Sequence, residues 1–517
     1  MFGRAGAPGL EQAVGAAPER SDWIGITHVA YMAGNGPIEP PRYARAAEAG
    51  ARWNRWAMYW DQIERSSGAY DWSAVDQAAG ADQEHGFATN AILLGTPGFY
   101  STSLTAQASG PTPRVEDKSA ALAVMRGQPI RRAAGAPIAP PRGLYAPAFA
   151  DGTDDPAPGK AINGANVWAG FVAAAVSRYR GRVAAWEVWN EPDFSQFWSG
   201  SVADYARLLK VAWLAARSID PSARILVGGM MYWEWTNRAG VEHAWLRAFL
   251  DEQDRDPAAA GHGRYFDAIP WHFYSRSSDS YDRIRSAASL LTSRGAAGKA
   301  LWINESNAPA CGEPPLNVSC SDRNYRGSAS IDEQADYVVQ SAAYGLAAGL
   351  ERYMIFQYAD DGQGESFGLF RNDGTARPAY RALQTIVEQT AGATSASRQT
   401  AGAVERIVVQ TPRARVTVLW ARSAATEVGS VDAIGGSATL VEVDGSARAV
   451  APIEGRYQVV LRGATDNKGF SNDPSDYIIG GRPRILVEPT SFGPVPTPRP
   501  GFGRSILPVA PLRAPAP

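Results

Sequence analysis

The sequence predicts an α/β chain, in which eight strands alternating with helices across residues 21–391 close into a (β/α)8 barrel and a small C-terminal β-sandwich follows. Three observations predict it. Short apolar runs alternate with stretches of helical periodicity across that span, polar residues gather where the strand-like runs end, and from about residue 399 the pattern turns to short alternating segments separated by turns. In a TIM barrel, functional groups sit at the C-terminal ends of the strands, so the polar strand ends fit that architecture. An open doubly wound sheet is the alternative; it usually carries a glycine-rich phosphate turn after its first strand, and none is visible here. A length of 517 residues exceeds one ordinary core and is consistent with two domains plus appendages.

Residues 1–20 are rich in Ala, Gly and Pro and read as a disordered N-terminal segment. Trp23 to Val29 is the first expected strand, Pro41 to Ala49 a short helix with proline at its start, and Ala51 to Tyr59 the second strand. A helix is expected near Ser73–Gly86, with Ser73 as its cap, and a third strand from Phe87 to Leu94. Residues 99–164 break the rhythm with a long Pro-, Ala- and Gly-rich insertion that includes a possible helix at Val115–Arg126. A connection of that length is usually functional or disordered, so it either covers one side of the active face or hangs loose. Helix Ala165–Arg180 feeds the fourth strand, which runs into Trp186-Glu187-Val188-Trp189-Asn190-Glu191-Pro192. Proline lacks the N–H that a central ladder needs, so this strand should end at the Asn-Glu pair.

Val202 to Ile219 reads as a strong helix capped by Ser201, with Pro221 just beyond it. The remaining expected pattern is strand Arg224–Gly228, helix Trp245–Gln253, strand Tyr265–Tyr274, helix Ser280–Ser293, strand Lys299–Asn304 delivering Glu305, helix Asp332–Gly349, strand Arg352–Tyr358 and helix Pro378–Thr390. Over 399–490 the alternating segments Val404–Gln410, Arg415–Ala421, Ala438–Val443, Arg456–Arg462 and Arg484–Glu488 describe the sandwich, and 491–517 is a Pro-rich tail.

With 50 Lys and Arg against 52 Asp and Glu the formal charge is −2, which gives no reason to expect nucleic acid or an anionic membrane as partner. No apolar run reaches bilayer length. No signal-peptide h-region is visible, so either the protein is cytoplasmic or its true start lies upstream; an extracellular location is the expectation. Cys311 and Cys320 lie close together in a Gly/Pro-rich stretch that a disulfide could close, which would suit an oxidising compartment; two free thiols are the alternative. The 16 Trp and 20 Tyr outnumber the 5 His and 2 Cys, and such rings suit both core packing and stacking on sugars.

Glu191 at the end of the fourth strand and Glu305 at the end of the seventh are far apart in the chain, and barrel closure would bring their tips together across one mouth. Cleaving a glycosidic bond by double displacement needs such a pair, about 5–5.5 Å apart, one carboxyl protonated and the other ionised. Arg55 on the second strand would keep the nucleophile ionised, Tyr274 could donate to the same carboxylate, and Asn190 could hold the sugar 2-hydroxyl.

These residues resemble the retaining glycoside hydrolases of clan A, in their family 39-like and cellulase-like members. The likeness rests on Trp-Asn-Glu-Pro late in strand four, an apolar strand ending in Glu at strand seven, Gly50-Ala51-Arg52-Trp53-Asn54-Arg55, Tyr59-Trp60-Asp61-Gln62-Ile63-Glu64, Tyr70-Asp71-Trp72 and Gly368-Leu369-Phe370 with Asp373-Gly374. It covers residues 21–391 and, more loosely, 399–490. It implies Glu191 as acid/base and Glu305 as nucleophile, with Asn190, Arg55, His272 and Tyr274 in support. Where clan members commonly carry a tryptophan at the end of strand eight, this chain has Phe356-Gln357-Tyr358.

Other assignments stay open at this level. Glu187 could be the acid, or could pair inside the barrel wall; His272 could touch substrate or orient a neighbour. Trp60, Trp198, Trp233 and Trp235 lie in or beside expected rim loops, where one or two would stack on sugar, with Trp60 the first candidate. Asp360, Asp361 and Glu365 read as solvated loop charges. The expected function is a retaining β-glycosidase acting on a carbohydrate substrate as a monomer, without cofactor or metal. A non-catalytic carbohydrate-binding barrel is the rival; a metal-dependent hydrolase is disfavoured by scattered histidines without paired ligand spacing.

Overall fold

A computed structural model describes residues 22–29, 40–102, 138–231, 242–274, 276–314, 320, 329–360, 366–465, 467 and 476–490. The N-terminal segment, the tail, most of the insertion with its expected helix, Trp233, Trp235, Asp361 and Glu365 lie outside the described residues. The strands of the first part are β1 (Ile24–Thr27), β2 (Trp53–Tyr59), the hairpin β3 (Glu64–Ser66) and β4 (Ala69–Tyr70), β5 (Ala88–Leu94), β6 (Val183–Asn190), β7 (Ile225–Met231), β8 (Ala268–Phe273), β9 (Ala300–Ser306) and β10 (Arg352–Ile355). Its helices are α1 (Pro40–Glu48), α2 (Trp60–Ile63), α3 (Ser73–Glu84), α4 (Val167–Tyr179), α5 (Val202–Ile219), α6 (Ala244–Arg255), α7 (Asp279–Ser293), α8 (Ile331–Ala348) and α9 (Pro378–Gln389). Parallel pairing in the order β1-β10-β9-β8-β7-β6-β5-β2 closes the barrel, as the alternation of elements predicts.

Inside the barrel, one end is dry and the other polar. Trp53, Ala185, Leu226, Ala268, Trp302 and Met354 form an apolar plug. Two residues further along three of these strands stand Arg55, Glu187 and Asn304, so the period-two alternation of a strand lifts the interior from apolar to charged. The outward side chains of the same strands, Trp56 and Ile303 among them, join the large core beneath the helices.

Helix ends follow local chemistry. Ser201 caps α5 through a capping box with Asp204, and Ser330 does the same for α8 with Glu333. Ser73 is not a cap: Trp72 holds that position, and Asp71 accepts from the Ser73 amide instead. Glu305 lies within β9 rather than beyond it, and Tyr265 belongs to a 3-10 turn ahead of β8.

The sandwich strands are β11 (Ser395–Ala401), β12 (Val404–Gln410), β13 (Ala414–Ala421), β14 (Glu427–Asp432), β15 (Ala438–Glu442), β16 (Ala447–Val450), β17 (Arg456–Leu461) and β18 (Arg484–Pro489). A six-stranded antiparallel sheet, β11-β12-β13-β18-β15-β16, faces the pair β14-β17 across Leu419, Leu440, Tyr457, Val459 and Leu486. The sulfurs of Cys311 and Cys320 are bonded to one another.

Candidate active site

The polar end of the barrel gathers residues from four strands around Arg55. Its guanidinium donates from Nε and Nη2 to Glu187 (2.8 and 2.7 Å), from Nη1 to Glu305 Oε1 (2.6 Å) and from Nη2 to Asn190 Oδ1 (2.9 Å). Burial alone would lower its proton affinity, but the charges of Glu187 and Glu305 outweigh that and raise it, so Arg55 stays cationic. Glu187 also accepts from the Gly229 amide and from Asn304 Nδ2, both at 2.8 Å. This is the pairing inside the barrel wall.

Local irregularities aim the two strand-end carboxylates. Between β8 and β9 the register slips, so that Trp271 faces Ile303 while His272 faces Glu305. The extra residue is Asn304, and the bulge lets Asn304 reach Glu187 while Glu305 reaches Arg55. In β6 and just after it, Trp189 and Glu191 adopt left-handed φ of 72° and 44°. Such conformations cost on the order of 1–3 kcal/mol and persist where the surroundings hold them. Here the Glu191 amide donates to Gly229 O, and Trp189 Nε1 donates to Phe197 O.

Glu191, His272 and Glu305 each contribute one atom to a cluster whose members all lie within 4.8 Å of one another. His272 Nδ1 stands 2.6 Å from Glu191 Oε1 and 3.5 Å from Glu305 Oε2. Arg55 Nη2, which can only donate, lies 3.5 Å from His272 Nε2. That favours the tautomer with its proton on Nδ1, donated to Glu191. Tyr274 donates its hydroxyl to Glu305 Oε2. Burial first, then the charges of Glu305 and Glu191, raise the Tyr274 pKa well above its ordinary value, so the phenol keeps its proton. Three donor atoms this close also have the spacing of a metal donor set, but Arg55 and Tyr274 already occupy the Glu305 oxygens, and the guanidinium opposes a second cation. Arg55, Glu187, Asn190, Glu191, His272, Asn304 and Glu305 are all fully buried, so their interactions act in a low dielectric.

The structure therefore brings together Glu191, Glu305, Asn190, Arg55, His272 and Tyr274. Trp60 does not join them. It opens α2 and points outward, fully buried, stacked on Phe171 of α4 with centroids 5.0 Å apart, its Nε1 donating to Glu64 at 2.6 Å. Trp198 is likewise packed edge-on against Trp189 at 5.0 Å. Asp360 is no solvated loop charge: it is buried and takes two 2.8–2.9 Å bonds from Arg377. Phe356, following β10, is buried edge-on against Tyr274 at 5.6 Å. Sequence reasoning missed Asn304, whose signal was its place next to Glu305. It also missed the glycine pair Gly228-Gly229. A Cβ on Gly229 would lie 2.1 Å from His272 Nε2, so only glycine lets the imidazole pack across β7.

No family model matches the chain, and none of the curated proteins does. Among solved structures, a family 39 glycoside hydrolase from Bacteroides cellulosilyticus aligns over 90% of this chain and 80% of its own, with a TM-score of 0.61 and 14% identity. A monomeric β-xylosidase from Caulobacter crescentus covers 92% of this chain and 97% of its own (TM-score 0.56, 15% identity). A family 30 endoxylanase from Clostridium papyrosolvens covers 92% and 98% (TM-score 0.53, 12% identity). At these identities the likeness is one of architecture: the chain shares its fold, barrel and sandwich together, with glycoside hydrolases of families 39 and 30.

Proposed function

We propose that this chain is a glycoside hydrolase that cleaves β-glycosidic bonds of oligo- or polysaccharides with retention of configuration. The observation that carries the reading is the convergence of Glu191 and Glu305 in one buried cluster, a carboxylate oxygen of each within 4.8 Å of the other, which suits the carboxyl separation of about 5–5.5 Å that double displacement uses. Glu191 gives its proton to the leaving glycosidic oxygen as Glu305 attacks the anomeric carbon from the opposite face. The C–O bond to the leaving group breaks and a glycosyl ester of Glu305 forms. Glu191, now ionised, takes a proton from water, which attacks the same carbon and releases Glu305. Two inversions give net retention.

The other residues have defined parts in this scheme. Arg55 and Tyr274 hold Glu305 ionised and oriented. His272 orients Glu191. Asn190 spends its carbonyl on Arg55, and its buried Nδ2, which has no protein partner among the described residues, is available to a sugar 2-hydroxyl. The test is a panel of aryl β-glycosides with NMR of the first-formed product. Retained β-anomer in the wild type and loss of turnover in Glu305→Ala are expected. Initial α-anomer, or normal turnover in that variant, would overturn the assignment.

A further inference from the structure

Glu187 is an acid that double displacement does not use, yet it accepts four hydrogen bonds: two from Arg55, one from Asn304 Nδ2 and one from the Gly229 amide. It is fully buried, and among the described residues the one cation bonded to it, Arg55, also bonds Glu305. One guanidinium is thus shared between two carboxylates. Coulomb interactions at these separations are strong in a buried site, so each anion dilutes the positive field that the other feels.

Resting on the assignment of Glu191 and Glu305 above, we propose that Glu187 is a positioning residue whose negative charge, acting through Arg55, sets the pH window in which the enzyme works. Neutralising it leaves the Arg55 charge undivided on Glu305 and makes the field at Glu191 more positive. Both carboxyls then release their protons at lower pH. The acid limb reports the nucleophile and the alkaline limb the acid, so both limbs of the activity profile move together.

Among the described residues, Glu187 is the acid bonded to Arg55 besides Glu305. Besides Glu191 from β6 and Glu305 from β9, the titratable groups facing the pair are His272 on β8, Tyr274 just after it, and Tyr205 on α5. Burial raises the pKa of both tyrosines, so each stays neutral. Arg55 Nη2 stands 3.5 Å from His272 Nε2, and His272 is unchanged in the variants compared below. From the neighbouring strands, β7 presents the Gly229 amide and β5 the uncharged Asn90, paired in register with Arg55.

The experiment is the pH dependence of kcat/KM on one aryl β-glycoside for wild type, Glu187→Gln and Glu187→Asp. In Glu187→Gln both limbs should move to lower pH by roughly one unit. In Glu187→Asp, whose anion retreats from Arg55, they should move the same way by less, and this variant carries the test should the amide fail to fold. A fall in rate with both limbs where the wild type has them, or a move to higher pH, would overturn the proposal and leave Glu187 a structural brace. That result is separate from failure of the functional reading, which would appear as an inactive wild type or an active Glu305→Ala.

Discussion

Arg55 is a cation shut inside the barrel, and its charge survives there because Glu187 and Glu305 outweigh the desolvation that burial imposes. Glu191 Oε1 stands 2.6 Å from His272 Nδ1, whereas the Arg55 guanidinium bonds Glu305 directly. In the proposed mechanism this difference in partners suits an acid and a nucleophile in one site, whose protonation states must differ at the working pH. It leads to a prediction at the scale of one side chain. Glu191→Ala should lose little of the first step on aryl glycosides whose leaving groups depart without a proton, and should lose roughly 100-fold or more on natural alkyl linkages. Comparing kcat/KM on a dinitrophenyl and an alkyl glycoside checks it, and equal losses would remove the acid role. The sequence places Asn190, Glu191, Tyr274 and Glu305 at or near strand ends and Arg55 within the second strand, while His272 entered only through the family resemblance; the structure sets all six side by side. Trp60 was misread because an aromatic one residue past a strand reveals nothing of which way its ring turns, and here the stack on Phe171 decided it. Asp360 was misread because its partner Arg377 belongs to a different turn of chain.

At the scale of elements, α5 is tied to the floor of the site by one hydroxyl. Tyr205 donates to Val188 O of β6 at 2.9 Å and accepts from the Gly228 amide of β7 at 2.7 Å. It thus bridges the two strands that carry Asn190 and Gly229. Tyr205→Phe keeps the ring but leaves the buried Gly228 amide without that acceptor, a loss of about 1–3 kcal/mol. Urea unfolding should show it as a lower midpoint with an unchanged slope; a midpoint equal to wild type would mean that the strands hold their register without the bridge. The helix itself was legible to the residue, from Ser201 through Ile219, because its cap, its apolar face and the following Asp-Pro all agree. The β9 bulge was not, since nothing in Ala-Leu-Trp-Ile-Asn-Glu-Ser marks the place where two residues oppose one. In the sandwich, β11 and β16 escaped notice for a physical reason. They are edge strands, largely exposed, and lack the buried apolar alternation by which a strand announces itself.

At the scale of the whole molecule, the barrel and the sandwich meet along α8, and a buried acid at that seam leads to a prediction about how the fold responds to pH. Gln340 of α8 bonds Gly480 and Gly481, Tyr344 bonds Glu405 at 2.9 Å, and Asn467 reaches Glu333 at 2.8 Å. These bonds tie the sandwich to the barrel, a contact that alternating strands in a sequence do not encode. Asp336 lies in the same seam, 6% exposed, with Arg482 3.7 Å away. Burial pushes its carboxyl up to about 8; Arg482 opposes this, and Asp332 and Glu333 add to it. An unfolded chain gives up the proton near 3.8, so between those values the unfolded state binds fewer protons than the native one. The contribution to stability is therefore complete below about pH 4 and is lost as pH rises through about 8. Asp336→Asn, which cannot ionise, should match wild type in acid and exceed it above pH 8 by on the order of a few kcal/mol. Unfolding midpoints taken from pH 5 to 9 decide the matter. Curves that diverge toward alkaline pH make the seam the alkaline weak point of the fold, whereas parallel curves would mean that Asp336 ionises alike in both states and that the weak point lies elsewhere.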